Sequence, residues 1–186
     1  MLILELTDIE CIKVLTRLGL GRLACSHNNQ PYVVPIYFAY RQRYLYSFAT
    51  LGQKIEWMRA NPRVCVEADE IINHHHWMSV VVQGHYEELP DTPEWKAQRI
   101  LAHELLQHRA MWWEPAYVVT AHLDATAELI PIYYRIHIDH VTGRRAMPDP
   151  VEAVEPVEPT TTQKSEGWLK SILRRMRFVG PGRSSH

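Results

Sequence analysis

Lys54 is the residue of this 186-residue chain whose surroundings point most directly to chemistry. It follows Thr50-Leu51-Gly52-Gln53 and opens a segment, Lys54 to Ala60, with the apolar spacing of a short helix. Backbone N–H groups in the turn, the positive end of the helix and the lysine charge together suit an anion, and the expected anion is a monoester phosphate. The pattern is not a Walker motif. A second group of candidates is histidine. In an extended segment His74 and His76 would share a face and His75 would take the other, but no cysteine or carboxylate pattern completes a metal site beside them. The expectation there is a polar surface loop and no metal. His103, His108, His137 and His140 add imidazoles without a local ligand signature. No nucleophile is paired with a base and no carboxylate pair stands out, so the chemistry is expected to come from a bound group rather than from side chains.

The elements that must position Lys54 lie around it. Two apolar strands precede it, PYVVPIYFAY (31–40) and YLYSFAT (44–50), and RVCVEADEI (63–71) follows it. In the first of these both alternating faces are apolar, which predicts that both are covered. Pro35 stands out there, because proline cannot donate to a sheet ladder; such a strand is an edge, a bulge, or a place where a ligand replaces a neighbouring strand. Asn61-Pro62 ends the helix. Upstream, Thr7 is placed to cap a helix with Ile9, Ile12, Val14, Leu15 and Leu18 at helical spacing and Gly19 at its end, and GRLACSH (21–27) then reads as a strand. Downstream come MSVVVQGHYEEL (78–89), with Gly84 as a bulge or close-approach point, a helix from Pro93 to Arg109 with Trp95, Ile100, Leu101, Leu105 and Leu106 at helical spacing, and PIYYRIHIDHVTG (131–143). Mostly antiparallel strands with attached helices predict a small barrel whose ends the helices close, a mainly β, α+β fold.

Composition sets the outer limits. Lys and Arg number 20 against 21 for Asp and Glu, so no global field points to nucleic acid. Cys11, Cys25 and Cys65 are odd in number and each lies in an apolar run, which argues against a disulfide framework. The apolar N-terminus lacks a basic leader and the length of a membrane span, and a cytoplasmic protein is expected. The barrel is expected over 1–147. PDPVEAVEPVEPTTTQKSE supplies a Pro/Glu/Thr-rich linker over 148–165, and 166–186 a basic amphipathic tail. GWLKSILRRMRF in that tail could form a helix making weak contact with a membrane or a partner.

The order GRLA, PYVVPIYFAY, LYSFATLGQKIEWMRANPRVCVEADE and SVVVQGHYEEL closely resembles the pyridoxamine-phosphate-oxidase-like family of FMN-binding split barrels. The nitroimidazole-resistance type is nearest, also through WWEP (112–115) and YRIHIDHVTGRR (134–145). The resemblance implies an antiparallel barrel of six to seven strands in a homodimer with FMN at the interface. Val34, Pro35, Ile36 and Tyr37 would run beside the isoalloxazine, Ser47, Phe48, Ala49 and Thr50 along the ribityl chain, and Gln53 and Lys54 at the phosphate. Arg59 and Arg63 could add charge there. Trp77, Trp112 and Trp113 are candidates to cap a flavin face, Trp113 foremost. Haem, which related split barrels bind, is the alternative cofactor, with one histidine as axial ligand. The strand at Val34-Pro35-Ile36 lacks the arginines of the vitamin B6 oxidases, which disfavours that reaction. The implied function is an oxidoreductase passing electrons or hydride to a small planar acceptor, with nitroaromatic reduction as a candidate. A non-catalytic flavin or haem carrier is the alternative.

Overall fold

The computed structural model describes residues 1–109 and 130–149. The expected tail and nearly all of the linker, together with Trp112 and Trp113, lie outside them. Eight strands form one antiparallel sheet: β1 Leu2–Glu5, β2 Leu20–His27, β3 Gln30–Tyr37, β4 Ala39–Arg41, β5 Tyr44–Ala49, β6 Arg63–Asn73, β7 His76–Glu88 and β8 Ile132–Met147. The helices are α1 Asp8–Arg17, α2 Gln53–Ala60 and α3 Lys96–Gln107, the last entered through a 3₁₀ turn, Pro93–Trp95. None of the helices among the described residues is long and apolar enough to cross a membrane.

The strand order is β3-β2-β6-β7-β8-β5-β4, with β1 pairing the end of β8. This is the expected antiparallel split-barrel architecture with more strands than expected. One addition is β1, four residues that are too short to show alternation and that exist through pairing with Arg144 to Met147. The other comes from a break at Phe38, which divides the 31–40 run into β3 and β4. β8 is the spine: its start pairs with β5, nearly its whole length with β7, and its end with β1.

Two apolar clusters follow from the alternation. The main one gathers Leu23, Phe38, Val66, Val82, Tyr134 and Ile136 with Cys11, Val14 and Leu15 of α1 and Ile55 and Met58 of α2. The second lies under α3, where Ala102 and Leu106 meet Tyr46, Phe48 and Tyr133. Thr7 caps α1 through a reciprocal capping box with Glu10. Two of the apolar residues at helical spacing face out: Ile9 is 70% exposed and Ile100 of α3 is 49% exposed. Each departs from the buried stripe of its helix, Cys11-Val14-Leu15 in one case and Ala102-Leu106 in the other. The end of α1 also differs, since Leu18 is its C-cap in an extended conformation and no left-handed glycine is used.

The expectation that both faces of the Pro35 strand are covered fails. β3 is an edge strand and Val33 is 60% exposed. An edge is where a residue without an N–H is tolerated. The sheet curls so that β3 approaches β5, yet no ladder joins them among the described residues. Ser47 Oγ on β5 donates to the Tyr37 carbonyl of β3 at 2.8 Å across this seam.

Gly84 is both bulge partner and close-approach point. Gln83 pairs with His140 and Gly84 with Ile138, leaving Asp139 unopposed on β8. A Cβ at Gly84 would lie 2.1 Å from the His137 carbonyl oxygen, so only glycine fits.

Candidate functional site

The seam between β3 and β5 opens into a cavity of about 180 Å³. Tyr32 and Val34 of β3 form one wall, Ala49 at the end of β5 another, and Thr50, Leu51, Gly52, Gln53 and Lys54 the third. The wall residues follow from strand periodicity, since Tyr32 and Val34 are two apart and point the same way.

α2 is held in place from both sides. Ile55 and Met58 bury a full side chain each in the main core. At its end Asn61 donates from its backbone to the Trp57 carbonyl at 2.8 Å, and from Nδ2 to the carbonyl and hydroxyl of Ser26, both at 3.1 Å. At its start the Gly52 carbonyl accepts from Ile55 and Glu56, at 2.9 and 3.1 Å, and no side chain caps the helix. The N–H groups of Gln53 and Lys54 therefore have no intrahelical acceptor and are left for whatever enters the cavity.

Lys54 sits in this opening, half-buried. Burial pushes its pKa down, opposed by the nearby Cys25. Among the described residues no carboxylate pairs with it. A partly desolvated, unpaired ammonium is costly to keep, and beside an uncapped helix start it is an arrangement that suits an anion. Trp57 of the same helix packs edge-on against Tyr32, with ring centroids 5.5 Å apart, and tilted against His27 at 5.9 Å.

Of the positions expected to touch the cofactor, Val34, Ala49, Thr50, Gln53 and Lys54 line the cavity together. Pro35 is exposed on the edge of β3. The Ile36 side chain is in the main core, and Ser47 is buried in its bond to Tyr37. Phe48 turns the other way and packs against Tyr133 under α3, with centroids 5.9 Å apart. Trp113 is outside the described residues. Tyr32, Leu51 and Gly52 also line the cavity; the signal for Tyr32 was its place two residues before Val34, and for the others their place inside the turn.

Arg59 and Arg63 do not contribute. The Arg59 guanidinium forms a two-pronged pair with Glu88 at 2.8 and 2.7 Å, and Glu88 also accepts from the Tyr86 hydroxyl at 2.8 Å. This holds the Glu88 carboxyl below its usual range, Arg59 being the main cause. Arg63 instead lines a separate, larger concavity of about 870 Å³ on the β2-β6-β7-β8 face. Trp77 lines a third hollow, beside Glu5 and Gly143. His74, His75 and His76 are exposed at the β6–β7 hairpin.

The sequence and the fold have counterparts in known proteins. A sequence model of the pyridoxamine 5'-phosphate oxidase family matches residues 7–145. A protein of Rhizobium meliloti with no characterised activity is 40% identical over 137 residues, covering 74% of this chain and 91% of its own. The crystal structure of a FAD-binding protein from Mesorhizobium loti is 46% identical, with a TM-score of 0.64 over 78% of this chain and 97% of that one. A proposed 5-nitroimidazole antibiotic resistance protein from Bacteroides thetaiotaomicron shares the fold at 16% identity, with a TM-score of 0.56 over 78% of this chain and 89% of that one.

Proposed function

The chain belongs to the pyridoxamine 5'-phosphate oxidase family, and from that premise we propose that it is a flavin-binding oxidoreductase. The observation that carries the reading is Lys54, partly desolvated and without a carboxylate partner among the described residues, at the uncapped start of α2, in a cavity between two strands that no ladder joins among those residues. Gln53, Lys54 and the first-turn N–H groups would hold the flavin phosphate, and the facing edges of β3 and β5 would flank the rest. The proposed cofactor is FMN, held non-covalently. FMN and FAD both carry a phosphate on the ribityl chain, so the same pocket serves the FAD named for the Mesorhizobium loti relative.

When bound, the flavin supplies reversible acceptance of hydride or single electrons. The chain's part is to bind, orient and shield. A cavity of about 180 Å³ takes the phosphate end alone. The remaining surface has to come from another wall, and we assign that wall to a second copy of the chain. Exposed apolar side chains beside the seam, Leu20, Val33 and Leu51, support a homodimer closed over the cofactor. The proposed acceptor is a small planar molecule, with nitroaromatics as the first class to assay.

The absorption spectrum of the purified protein is the direct test. Two flavin bands, with FMN released on heating and identified by chromatography, are the expected result; release of FAD would move the assignment to the dinucleotide. A Soret band, or a colourless protein that takes up neither flavin, overturns the reading. Turnover of a nitroaromatic with reduced nicotinamide then distinguishes an enzyme from a carrier.

A further inference from the structure

On the β7–β8 ribbon, three potential ligands converge on one point. His85 and His137 are directly opposite each other in the ladder, with ring centroids 4.9 Å apart. Asp139 lies two residues beyond His137, on the same face. Its carboxylate is 3.1 Å from His85 Nδ1 through either oxygen and 2.9 Å from His137 Nδ1 through Oδ1.

The convergence depends on the bulge. Asp139 is the unopposed residue of β8, and the register shift that frees it requires glycine at position 84. Bulges of this kind re-aim a side chain. Arg43 fixes the bulge from the other side: its backbone carbonyl accepts from the Ile138 N–H at 2.9 Å, and its guanidinium donates to the Ile138 carbonyl at 2.9 Å. Tyr44 packs edge-on against the His137 ring, with centroids 5.2 Å apart.

We propose that His85, His137 and Asp139 bind a divalent transition-metal ion of the zinc, nickel or copper class. Two imidazoles and a carboxylate form a ligand set that these ions favour over magnesium or calcium. Tetrahedral bonds of about 2.0–2.1 Å place neighbouring ligand atoms roughly 3.3 Å apart, close to the nitrogen–oxygen separations in the cluster. The cation would sit between the carboxylate and the two Nδ1 atoms that now lie within hydrogen-bond distance of it. Glu87 Oε1, 3.4 Å from His85 Nε2, is placed to hold the other ring proton and so leave the Nδ1 lone pair for the metal. Arg135 Nε in turn anchors Glu87 at 2.7 Å. Three protein ligands leave a coordination position for water or an outside donor, and His85 and Asp139 also line the 870 Å³ concavity from which it would come.

The site is separate from the Lys54 cavity, and its test does not depend on flavin. Untagged full-length protein, stripped with a chelator, is titrated with Zn²⁺ by calorimetry and with Co²⁺ by visible absorption. One ion per chain is expected, with a cobalt d–d spectrum of low coordination number. His137→Ala and Asp139→Asn should each weaken binding at least about 100-fold, and Glu87→Gln by about 10- to 100-fold. His74→Ala/His76→Ala should leave it unchanged. Asp139→Asn is nearly isosteric at an exposed position, so it keeps the test open if His137→Ala does not fold. No stoichiometric ion, or binding indifferent to Asp139→Asn, or binding lost only in the hairpin variant, overturns the proposal.

Discussion

Lys54→Met separates two effects of opposite sign. Methionine keeps the apolar stem and removes the charge, and because no carboxylate pairs with Lys54 among the described residues, no orphaned partner inflates the result. A charge-assisted contact to a phosphate is worth about 1.5–3 kcal/mol. At about 1.4 kcal/mol per tenfold, that is a rise in the flavin Kd of about 10- to 150-fold. The stability of the flavin-free protein should move the other way. Burial depresses the Lys54 pKa below 10.5, so between the folded and unfolded values the unfolded chain binds more protons and stability rises with pH. Below the folded value the penalty is fully present. The Met variant should therefore unfold at a higher temperature than the wild-type apoprotein at pH 7 and lack the alkaline rise. In the wild type, flavin affinity should fall as pH climbs through the depressed pKa, and in the variant it should not. Fluorescence quenching on flavin titration, with thermal melts of the apoprotein across pH, reads all of this. Unchanged flavin affinity in Lys54→Met would refute the phosphate assignment, and a less stable apoprotein would refute the cost ascribed to the buried charge.

Gly84→Ala forces a Cβ against the His137 carbonyl and should cost at least about 2–3 kcal/mol in denaturant unfolding, in keeping with backbone overpacking. Arg59→Ala breaks a partly exposed pair with Glu88 and should cost at most about 1 kcal/mol, leaving flavin affinity as it is. Since the Glu88 pKa is lowered on folding, that contribution is present above the ordinary carboxylate range and is lost as pH falls through the folded value, so acid titration of the two proteins should converge. Ser47→Ala removes a side-chain bond across the seam and should cost about 1–2 kcal/mol by thermal unfolding. Thr7→Ala should cost about 1 kcal/mol through the α1 cap.

Much of this was legible in local pattern. Helical spacing in α2, the Asn61-Pro62 stop and the alternation of β5 to β8 are short-range signals, and together they placed Gln53 and Lys54 at a helix start beside a strand end. Pro35 marked an edge because a missing N–H is a property of the residue itself. What stayed hidden depends on partners far away in sequence. β1 exists by pairing with the end of β8, and Val33 is exposed because β3 has a neighbour on one side only. The facing of Phe48 toward α3 rather than the cavity is set by which side of β5 the third helix covers. The His85-His137-Asp139 cluster was invisible for the same reason: it needs the β7–β8 register and a bulge, whereas the consecutive histidines that catch the eye at 74–76 lie exposed at a hairpin.

The edge left open by β3 bears on how the protein survives in a cell. A row of unpaired backbone donors and acceptors is a template for joining another chain, and Pro35 removes a donor from its middle. If flavin and a second subunit cover that edge, chains made during cofactor shortage would carry it bare. A ligand at 100 times its Kd adds about 2.7 kcal/mol of stability, so the saturated protein also opens less often. Cofactor supply would then set not only how many molecules are active but how many escape aggregation and proteolysis.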